Sequence, residues 1–407
     1  MRFALDKKSN NKYVITTGIQ YLVYGSFVVI AVLGINHAFS LFGLFKQYSL
    51  YFFLMFFSQA LSGILISYAR GIEKISDLSL SSIINSAVII ICNILFLLIF
   101  KCGLIGYFWA NIIGPFIQCT YLAIITNAIR DVRVCNKDKL TAHEMIAYSK
   151  PMIANSIGWW INNAADKYVV IYFSGMSENG IYAVAAKIPS ILNIFQSIFA
   201  QAWTISAVKD YDPEDKNGFF AKTYATYNCL MTIGCSALIL VDKPLAKFLY
   251  AKDFYAAWRY VPYLTIAILF GALAGYLGGF FSAAKNSKIF AQSTLIGSVV
   301  NIFLNFTLTP QIGAMGAAIA TCISYIIVWI VRFIHSKKYI KLRVKLKRDF
   351  FSYFALLVQA IVLLTINGIW LYVIELFLII IVIVLYLPEL HLLTEKVKNV
   401  LIKKIKQ

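Results

Sequence analysis

The sequence predicts an all-α membrane protein with about twelve transmembrane helices. Of its 407 residues, 60% are hydrophobic and 14% are charged, and the mean hydropathy is +0.75. A soluble domain would carry charge on about a quarter of its residues. The apolar residues fall in runs long enough to cross a hydrocarbon core of about 30 Å. No strand-length alternation interrupts them, and a helix satisfies its own backbone in lipid, so the spans are predicted to be helices.

The apolar runs give the positions of the spans in chain order. They lie at residues 13–34, 47–68, 80–100, 103–126, 151–173, 179–203, 219–241, 258–284, 289–309, 313–334, 350–367 and 369–388. The polar, basic start from Met1 to Lys12 precedes a run that is already of span length, so no cleavable signal peptide is predicted. An even number of spans places both termini on one side of the membrane.

The distribution of basic residues predicts which side that is. With the N-terminus in the cytoplasm, cytoplasmic segments hold 28 of the 37 Lys and Arg residues, including the run from Arg332 to Arg348. The opposite side holds six, and Lys150, Lys167 and Lys187 lie at or within spans. The positive-inside rule therefore predicts that both termini are cytoplasmic.

The net charge of +19 points to anionic partners. Because the basic residues sit in short loops between spans, we expect them to contact anionic lipid headgroups and an anionic substrate, and we expect no nucleic acid. The seven cysteines form no CxxC and the four histidines no paired spacing, so no metal site and no cofactor is predicted. No GxxxxGK[ST] loop occurs, which excludes direct drive by ATP.

Two stretches of the chain repeat each other. Gly103-x-x-Gly106 is followed by Ala110, and Gly313-x-x-Gly316 is followed by Ala320 at an offset of 210. The helix ends Tyr68-Ala69-Arg70 and Ala283-Ala284-Lys285 match at an offset of 215. Small residues allow close helix packing, and transporters are commonly built from internal repeats. The repeat pairs spans one to four with spans seven to ten.

The repeat predicts the domain organisation. We expect a first lobe of four helices at 1–147, a second lobe of six helices at 148–345, two additional helices at 346–389, and a basic cytoplasmic tail at 390–407.

Three longer motifs carry a family resemblance. They are Trp159–Tyr168 (WWINNAADKY), Asn179–Pro189 (NGIYAVAAKIP) and the segment from Val300 to Thr321. They resemble the second lobe of bacterial Wzx-type polysaccharide or O-antigen flippases, a branch of the multidrug/oligosaccharidyl-lipid/polysaccharide exporter (MOP) superfamily, which also contains the MATE transporters. The opening Arg2–Lys8 is similar to the loop that follows the family's second helix, which implies a first lobe lacking the first two helices of the family.

The resemblance implies a two-lobe, MATE-like transporter working by alternating access. Its substrate would be an undecaprenyl-diphosphate-linked oligosaccharide (a unit of O-antigen, capsule or another surface polysaccharide) crossing the bacterial cytoplasmic membrane without chemical change. Polysaccharide-assembly proteins are possible partners. The alternatives are an inactive truncated remnant, a MATE-like small-molecule exporter, which would need an acidic cavity, and a polysaccharide polymerase, which would need catalytic groups on a polar loop. The protein is not expected to be an enzyme.

The fifth span carries the main candidate substrate site. Asn155, Trp159, Asn162 and Asp166 share one helical face, and Asn163 and Lys167 form an adjacent row. Amides, an indole and a cation suit a sugar diphosphate, and Lys187 lies on the next helix. The alternative is a polar seam between helices; for Asn301 and Asn305, farther along, we favour such an interhelical role.

The charges inside the spans give a specific expectation. Asp166 and Lys187 lie at similar depths from a turn near Gly175, and an unpaired charge there costs about 3 kcal/mol. We therefore expect Asp166 to pair with Lys187, leaving Lys167 for phosphate; a purely structural ion pair is the alternative. Arg70 and Lys285, at matching cytoplasmic helix ends, are further candidates for a diphosphate, and anchoring to lipid phosphates is their alternative role.

Overall fold

The computed structural model describes residues 3–5, 11–134 and 139–395. Every regular element within these ranges is a helix, which confirms the predicted all-α class. The chain divides into two compact units, Met1–Ala147 and Tyr148–Gln407.

The first unit holds six helices and the start of a seventh. They are α1 (Asn11–Phe39), α2 (Gly43–Gln47), α3 (Ser49–Gly71), α4 (Ile75–Asn93, continued by a π-helical turn Ile94–Ile99), α5 (Gly103–Ile125), α6 (Ala128–Val134) and the beginning of α7 (Lys139–Ala185). The packed core of this unit joins α1, α3 and α5 around Ile15, Leu65 and Leu122. Ser62 donates a hydrogen bond of 2.9 Å to Gln118 between α3 and α5.

The second unit holds the rest of α7 and nine further helices. They are α8 (Pro189–Lys209), α9 (Phe219–Leu240), α10 (Asp242–Leu249), α11 (Val261–Ala283), α12 (Lys288–Ile312), α13 (Ala314–Ser336), α14 (Leu346–Thr365), α15 (Ile369–Leu385) and α16 (Leu387–Glu395), with a 3₁₀ turn at Lys252–Arg259. α11 is almost entirely buried and packs against α8, α9 and α13.

Nine of the described helices are long and apolar enough to span a membrane, or eleven if two bent pairs each count as one span. This agrees with the predicted number of about twelve. The bent pairs are α9 with α10 and α15 with α16, each bent by 66°. The predicted fifth span falls within α7, which does not meet the same criterion.

The predicted fifth and sixth spans differ most from the structure. α7 continues past the fifth span to Ala185 and is interrupted at Gly175, whose φ is 87°. The predicted sixth span, 179–203, is broken at residues 186–188, and α8 begins with Pro189. Proline lacks the N–H that a continuing helix needs and fits the first turn of a new one, which explains the break.

The hydrogen bonding of Tyr182 shows that the chain reverses at Gly175. The Tyr182 hydroxyl donates to the Asp166 carboxylate at 3.1 Å, although the two residues are 16 positions apart. In a continuous helix they would be about 24 Å apart. The turn predicted near Gly175 is therefore present, and a positive φ is a conformation that glycine adopts without steric cost.

The core of the second unit is an aromatic stack on α8, α9 and α11. Phe199 stacks on Tyr227 with ring centroids 3.8 Å apart, and Trp203 stacks on Tyr276 at 4.0 Å. The Trp203 Nε1–H donates to the Tyr276 carbonyl at 2.8 Å. A Cβ on Gly279 would lie 2.5 Å from Trp203 Nε1, so a glycine is needed for this stack to close.

The two GxxG stretches share two local features. Gly103 and Gly313 have φ values of 57° and 62° and each lies at the start of a helix. A Cβ on Gly106 would lie 2.7 Å from Phe96 Cβ, and one on Gly316 would lie 2.5 Å from the Leu308 backbone. In both units, the second glycine lets the helix turn back closely against its predecessor. Superposition of spans one to four on seven to ten remains a prediction.

Candidate functional site

A polar cavity of about 380 Å³ lies within the second unit, among α7, α8, α11 and α13. Its apolar and small lining residues are Ala186, Pro189, Leu264, Ala267, Ile268, Gly271 and Gly275. Its polar and aromatic lining residues are Trp159, Asn163, Asn193, Gln196, Thr321, Tyr325 and Arg332. No Asp or Glu is among these residues, so the cavity has a positive electrostatic character.

The sequence of α13 places three of these residues on one helical face. Thr321, Tyr325 and Arg332 follow each other at intervals of four and seven, which is one face of an α-helix. The helix α11 contributes Gly275 to the cavity lining, and a Cβ added there would meet no atom within 4 Å. A missing side chain on α11 thus leaves part of the cavity open.

Arg332 is a buried cation without an acidic partner. The residue is only 2% exposed. Nε donates to Ser293 Oγ at 2.9 Å, and Nη1 donates to the Ala274 carbonyl at 3.0 Å. Nη2 donates to Thr294 Oγ1 at 2.9 Å and to Asn155 Oδ1 at 3.2 Å. All four acceptors are neutral, and no carboxylate of the described residues lies within 4 Å.

The sequence analysis counted Arg332 only among the basic residues on the cytoplasmic side and did not predict that its side chain is buried between helices. The residue lies inside α13, and its guanidinium also lies 5.1 Å from the centre of the Phe290 ring. Uncharged acceptors on neighbouring helices take four hydrogen bonds from its five N–H donors, which allows burial. One N–H of Nη1 is left over, and the guanidinium keeps its charge. The full positive charge therefore remains available to an anion in the cavity.

Trp159 and Asn163, both predicted to be substrate-binding, line this cavity. Tyr325 donates to Asn163 Oδ1 at 3.3 Å and packs edge-on against Trp159 with ring centroids 4.9 Å apart. The cavity wall is thus a cluster of one indole, one phenol and one amide. Such groups can contact the face of a sugar ring and hydrogen-bond its hydroxyls.

Asn155 and Asn162 are buried outside this cavity. Asn155 accepts from Thr294 at 2.7 Å as well as from Arg332, so it positions the guanidinium. Asn162 is fully buried, and neither its Oδ1 nor its Nδ2 has a hydrogen-bond partner among the described residues. The polar residues of α7 therefore do not form one face towards a single cavity, as the spacing suggested, but point in two directions.

Asp166 is 4% exposed and accepts hydrogen bonds from four neutral side chains. Asn305 Nδ2 donates to Oδ1 at 2.7 Å, and Asn301 Nδ2 donates to the same oxygen at 3.1 Å. Tyr182 and Thr321 donate to Oδ2. The favoured interhelical role of Asn301 and Asn305 agrees with these contacts. Asp166 thus ties both arms of α7 to α12 and α13.

The predicted ion pair between Asp166 and Lys187 is wrong. No nitrogen of a Lys or Arg among the described residues lies within 4 Å of the Asp166 carboxylate, and the side chains of Lys187 and Lys167 are exposed. Four donors already satisfy both carboxylate oxygens, so burial of Asp166 requires no cation. Lys187 lies in the three-residue break before α8, between the cavity-lining Ala186 and Pro189.

The two candidate residues at helix ends lie in different units. Arg70 is half-buried in the last turn of α3 in the first unit. Lys285 follows α11 in the second unit, is exposed, and has a φ of 53°. Within the described residues, no group of three or more His, Cys, Asp or Glu side chains could hold a metal ion.

Arg332, Asn193, Gln196 and Tyr325 are the cavity residues that sequence reasoning missed. A signal for Arg332 was present, because the helical face of Thr321 and Tyr325 continues to it. The positive-inside count treated Arg332 only as a basic residue near the end of a span, so its place on this helical face was not considered. Apolar residues continue after it at Phe333 and Ile334.

Comparison with known proteins places the fold. No protein-family model matches the sequence. Over 190 residues the chain is 24% identical to the probable low-salt glycan biosynthesis flippase Agl15 of Haloferax volcanii; this stretch covers 45% of the chain and 40% of that relative. The matched part thus spans about two fifths of the relative's length.

The solved structures most informative for the fold are transporters. A MATE transporter in complex with MaL6 superposes with a TM-score of 0.69 at 15% identity, covering 82% of this chain and 80% of the other. The inward closed conformation of the lipid II flippase MurJ gives a TM-score of 0.61 at 18% identity, covering 97% of this chain and 86% of MurJ. The chain therefore has the fold that these MATE and MurJ structures share, as the resemblance predicted.

Proposed function

We propose that this protein is a flippase that carries a lipid-linked oligosaccharide across a membrane by alternating access. The observation that carries the proposal is Arg332, a buried cation without an acidic partner among the described residues, in the wall of a polar cavity. The similarity to a glycan biosynthesis flippase and to the fold of a lipid II flippase supports it. The substrate would cross unchanged, so no enzymatic step is involved.

The cavity suits the linkage region of such a substrate. A diphosphate brings negative charge, and charge-assisted hydrogen bonds from an arginine to phosphate are short and strong. Trp159 offers an aromatic face to the first sugar, while Asn163, Asn193 and Gln196 offer amide groups to its hydroxyls. The polyprenyl chain would remain in the lipid.

The sign of the cavity charge favours this function over a MATE-like exporter of organic cations. A cation exporter would be expected to present Asp or Glu to its substrate, whereas the residues lining this cavity include neither. A cation would also be repelled by Arg332, because the buried charge is screened much less than one at the surface.

The membrane, the orientation and the exact substrate are proposed from the sequence analysis. We place the protein in the bacterial cytoplasmic (inner) membrane, with both termini in the cytoplasm, and assign it an undecaprenyl-diphosphate-linked unit of O-antigen, capsule or another surface polysaccharide. Among the remaining candidates, exposed Lys167 and Lys187 would contact the diphosphate along its path, and Arg70 and Lys285 would contact it at the cytoplasmic side. Buried Asn155, Asn162 and Asp166 would act on the helices that carry the cavity residues and would not touch the substrate. Asn155, for example, would position Arg332.

The experiment that tests the proposal measures binding and transfer separately. The full chain would be purified in detergent for binding of an undecaprenyl-diphosphate-linked oligosaccharide and reconstituted in vesicles for its transfer between leaflets. Arg332→Gln should weaken binding at least about tenfold, the effect of losing roughly 1.5–3 kcal/mol from a charged hydrogen bond, and Arg332→Lys should recover part of it.

Because Arg332 is buried, a second pair of variants keeps the test independent of folding. Asn193→Ala and Gln196→Ala alter cavity residues on α8 that are not fully buried, and they should weaken binding while preserving the unfolding temperature. Gln311→Ala removes an exposed amide of α12 outside the cavity and serves as the control. Wild-type binding by well-folded Arg332→Gln and Asn193→Ala proteins would contradict the proposal.

A further inference from the structure

A second polar cavity of about 210 Å³ lies at another place in the second unit, where the start of α9, the start of α14 and α16 meet. Six charged residues line it: Lys222, Arg343, Lys345, Arg348, Asp349 and Glu389. None of them takes part in the cavity around Arg332, so the proposed function leaves this cluster unexplained.

Three of these residues form a fixed frame. Arg348 Nη2 lies 2.8 Å from Asp349 Oδ1, and Arg348 Nη1 pairs with Glu389 Oε1. The Arg348 guanidinium also lies 4.4 Å from the centre of the Tyr386 ring, and the Tyr386 hydroxyl donates to Asp349 at 3.2 Å. These mutual contacts join the first turn of α14 to α16 and satisfy most of the charge of the frame.

Positive charge remains after the frame has formed. The cluster has four cations and two carboxylates. Lys222 and Arg343 are exposed and have no carboxylate within 4 Å among the described residues, and Lys345 reaches Glu389 only at 3.5 Å. Three cationic side chains thus converge on the cavity with little neutralisation, which favours an anionic ligand.

Glu389 gives the second, independent indication. The residue is 5% exposed, and its Oε2 has no hydrogen-bond partner among the described residues. A buried carboxylate oxygen without a donor is unfavourable, and nearly all such groups are satisfied in folded proteins. The ligand should therefore present a hydrogen-bond donor in addition to its negative charge.

The surroundings indicate that the ligand is a lipid. Exposed apolar side chains flank the cavity: Leu346 and Phe350 in the first turns of α14 and Leu392 on α16. α14 is itself one of the helices able to span the membrane. A cationic recess at the end of a spanning helix, next to an apolar surface, fits a headgroup with its acyl chains alongside.

We infer that this cavity binds the headgroup of phosphatidylglycerol, with its phosphodiester between Lys222, Arg343 and Lys345 and a glycerol hydroxyl donating to Glu389 Oε2. The excess of positive charge disfavours a zwitterionic headgroup such as phosphatidylcholine, which also lacks a hydroxyl donor. Phosphatidylethanol offers the same singly charged phosphodiester without the glycerol hydroxyls.

Native mass spectrometry of the full chain in detergent, titrated with single lipids, tests the inference. Phosphatidylglycerol should bind in preference to phosphatidylcholine. The double variant Arg343→Gln/Lys345→Gln should weaken its binding about 25-fold, from roughly fivefold for each charge near a lipid phosphate. Both side chains are exposed, so the variant is expected to fold.

The basic segment from Lys337 to Arg348, which contains Arg343 and Lys345, also offers a matched control. Lys337→Gln/Lys338→Gln removes the same charge from two exposed lysines that do not line the cavity. In detergent there is no bilayer surface potential, so this pair should change binding less than about twofold. Equal losses from the two double variants would show a diffuse electrostatic effect and overturn the site.

Two further experiments test whether a glycerol hydroxyl contacts Glu389 and whether the ligand is a membrane lipid. Glu389→Gln should remove the preference for phosphatidylglycerol over phosphatidylethanol. Equal affinity of the wild-type chain for these two lipids would overturn the role of Glu389. Glycerol 3-phosphate at millimolar concentration should fail to displace the lipid. Effective displacement by this soluble compound would overturn the assignment to a membrane lipid.

Discussion

Arg332 and Asn155, 177 residues apart in the sequence, are joined by a hydrogen bond of 3.2 Å from the guanidinium to the amide oxygen. The same oxygen accepts from Thr294 at 2.7 Å. This amide therefore connects α7, α12 and α13 at the point where the second unit buries its unpaired cation.

Replacing Asn155 with Leu should destabilise the protein by about 1–3 kcal/mol, because two buried donors would lose their shared acceptor. Equilibrium unfolding in mixed micelles measures this change. Asn163→Leu is the matched control: Asn163 lies on the same helix and is exposed to the cavity, so the loss should be below about 1 kcal/mol. Equal losses at the two positions would show that Asn155 has no special role in holding Arg332.

Asp166 should be coupled energetically to Asn305 and not to Lys187. A double-mutant cycle with Asp166→Ala and Asn305→Ala should give an interaction energy of about 0.5–3 kcal/mol, the range for contacting polar residues. The corresponding cycle with Lys187→Ala should give less than about 0.5 kcal/mol. A large coupling to Lys187 would restore the ion pair that the structure excludes.

Two glycines of α11, one turn apart, should respond to substitution in opposite ways. Gly279→Ala should cost about 1–3 kcal/mol, because its Cβ would lie 2.5 Å from Trp203 Nε1 and disturb the aromatic stack. Gly275→Ala meets no atom within 4 Å and should be neutral or stabilising by up to about 1 kcal/mol. Thermal unfolding in detergent compares them directly.

A larger side chain at Gly275 separates binding from folding. Gly275→Leu would extend into the cavity beside Arg332 and should reduce binding of the lipid-linked oligosaccharide, while the unfolding temperature stays close to that of the wild-type chain. Unchanged substrate binding by this variant would argue that the substrate does not enter this cavity.

Gly103 and Gly313 should be equally sensitive to alanine. Each has a positive φ at the start of a helix, and a sparsely populated backbone conformation costs an L-residue about 1–3 kcal/mol. Gly25→Ala, in α1 with no atom within 4 Å of the added Cβ, is the control and should not destabilise. A destabilisation at one GxxG only would weaken the view that the two hairpins are repeats.

The sequence was informative where the requirement is local. The apolar runs locate most helices because their length and composition suffice, and the repeated GxxG identified two helix starts whose first glycine has a positive φ. Trp159 and Asn163 were recognised as candidates because an indole and an amide are unusual on an apolar helix, and both line the cavity.

The sequence was less informative where the outcome depends on packing. The distance from the turn at Gly175 gives the depth of Asp166 and Lys187 along their helices but not the direction in which each side chain points. Asp166 takes its donors from Asn301, Asn305 and Thr321, which lie 135 to 155 positions away. The burial of Arg332 was not predicted because it depends on acceptors from three other helices.

Those acceptors have a mechanical consequence. Arg332 is carried by α13 and is bound to Asn155 on α7, Ala274 on α11 and both Ser293 and Thr294 on α12. Sliding any of these helices by one residue would take an acceptor away from the N–H groups of a buried guanidinium, which is costly in a low-dielectric interior. The four helices should therefore move as a single rigid block in the proposed transport cycle. Any hinge must then lie outside the four helices that Arg332 joins. The non-helical residues 186–188, between α7 and α8, are such a place, because α8 makes no hydrogen bond to Arg332 among the described residues.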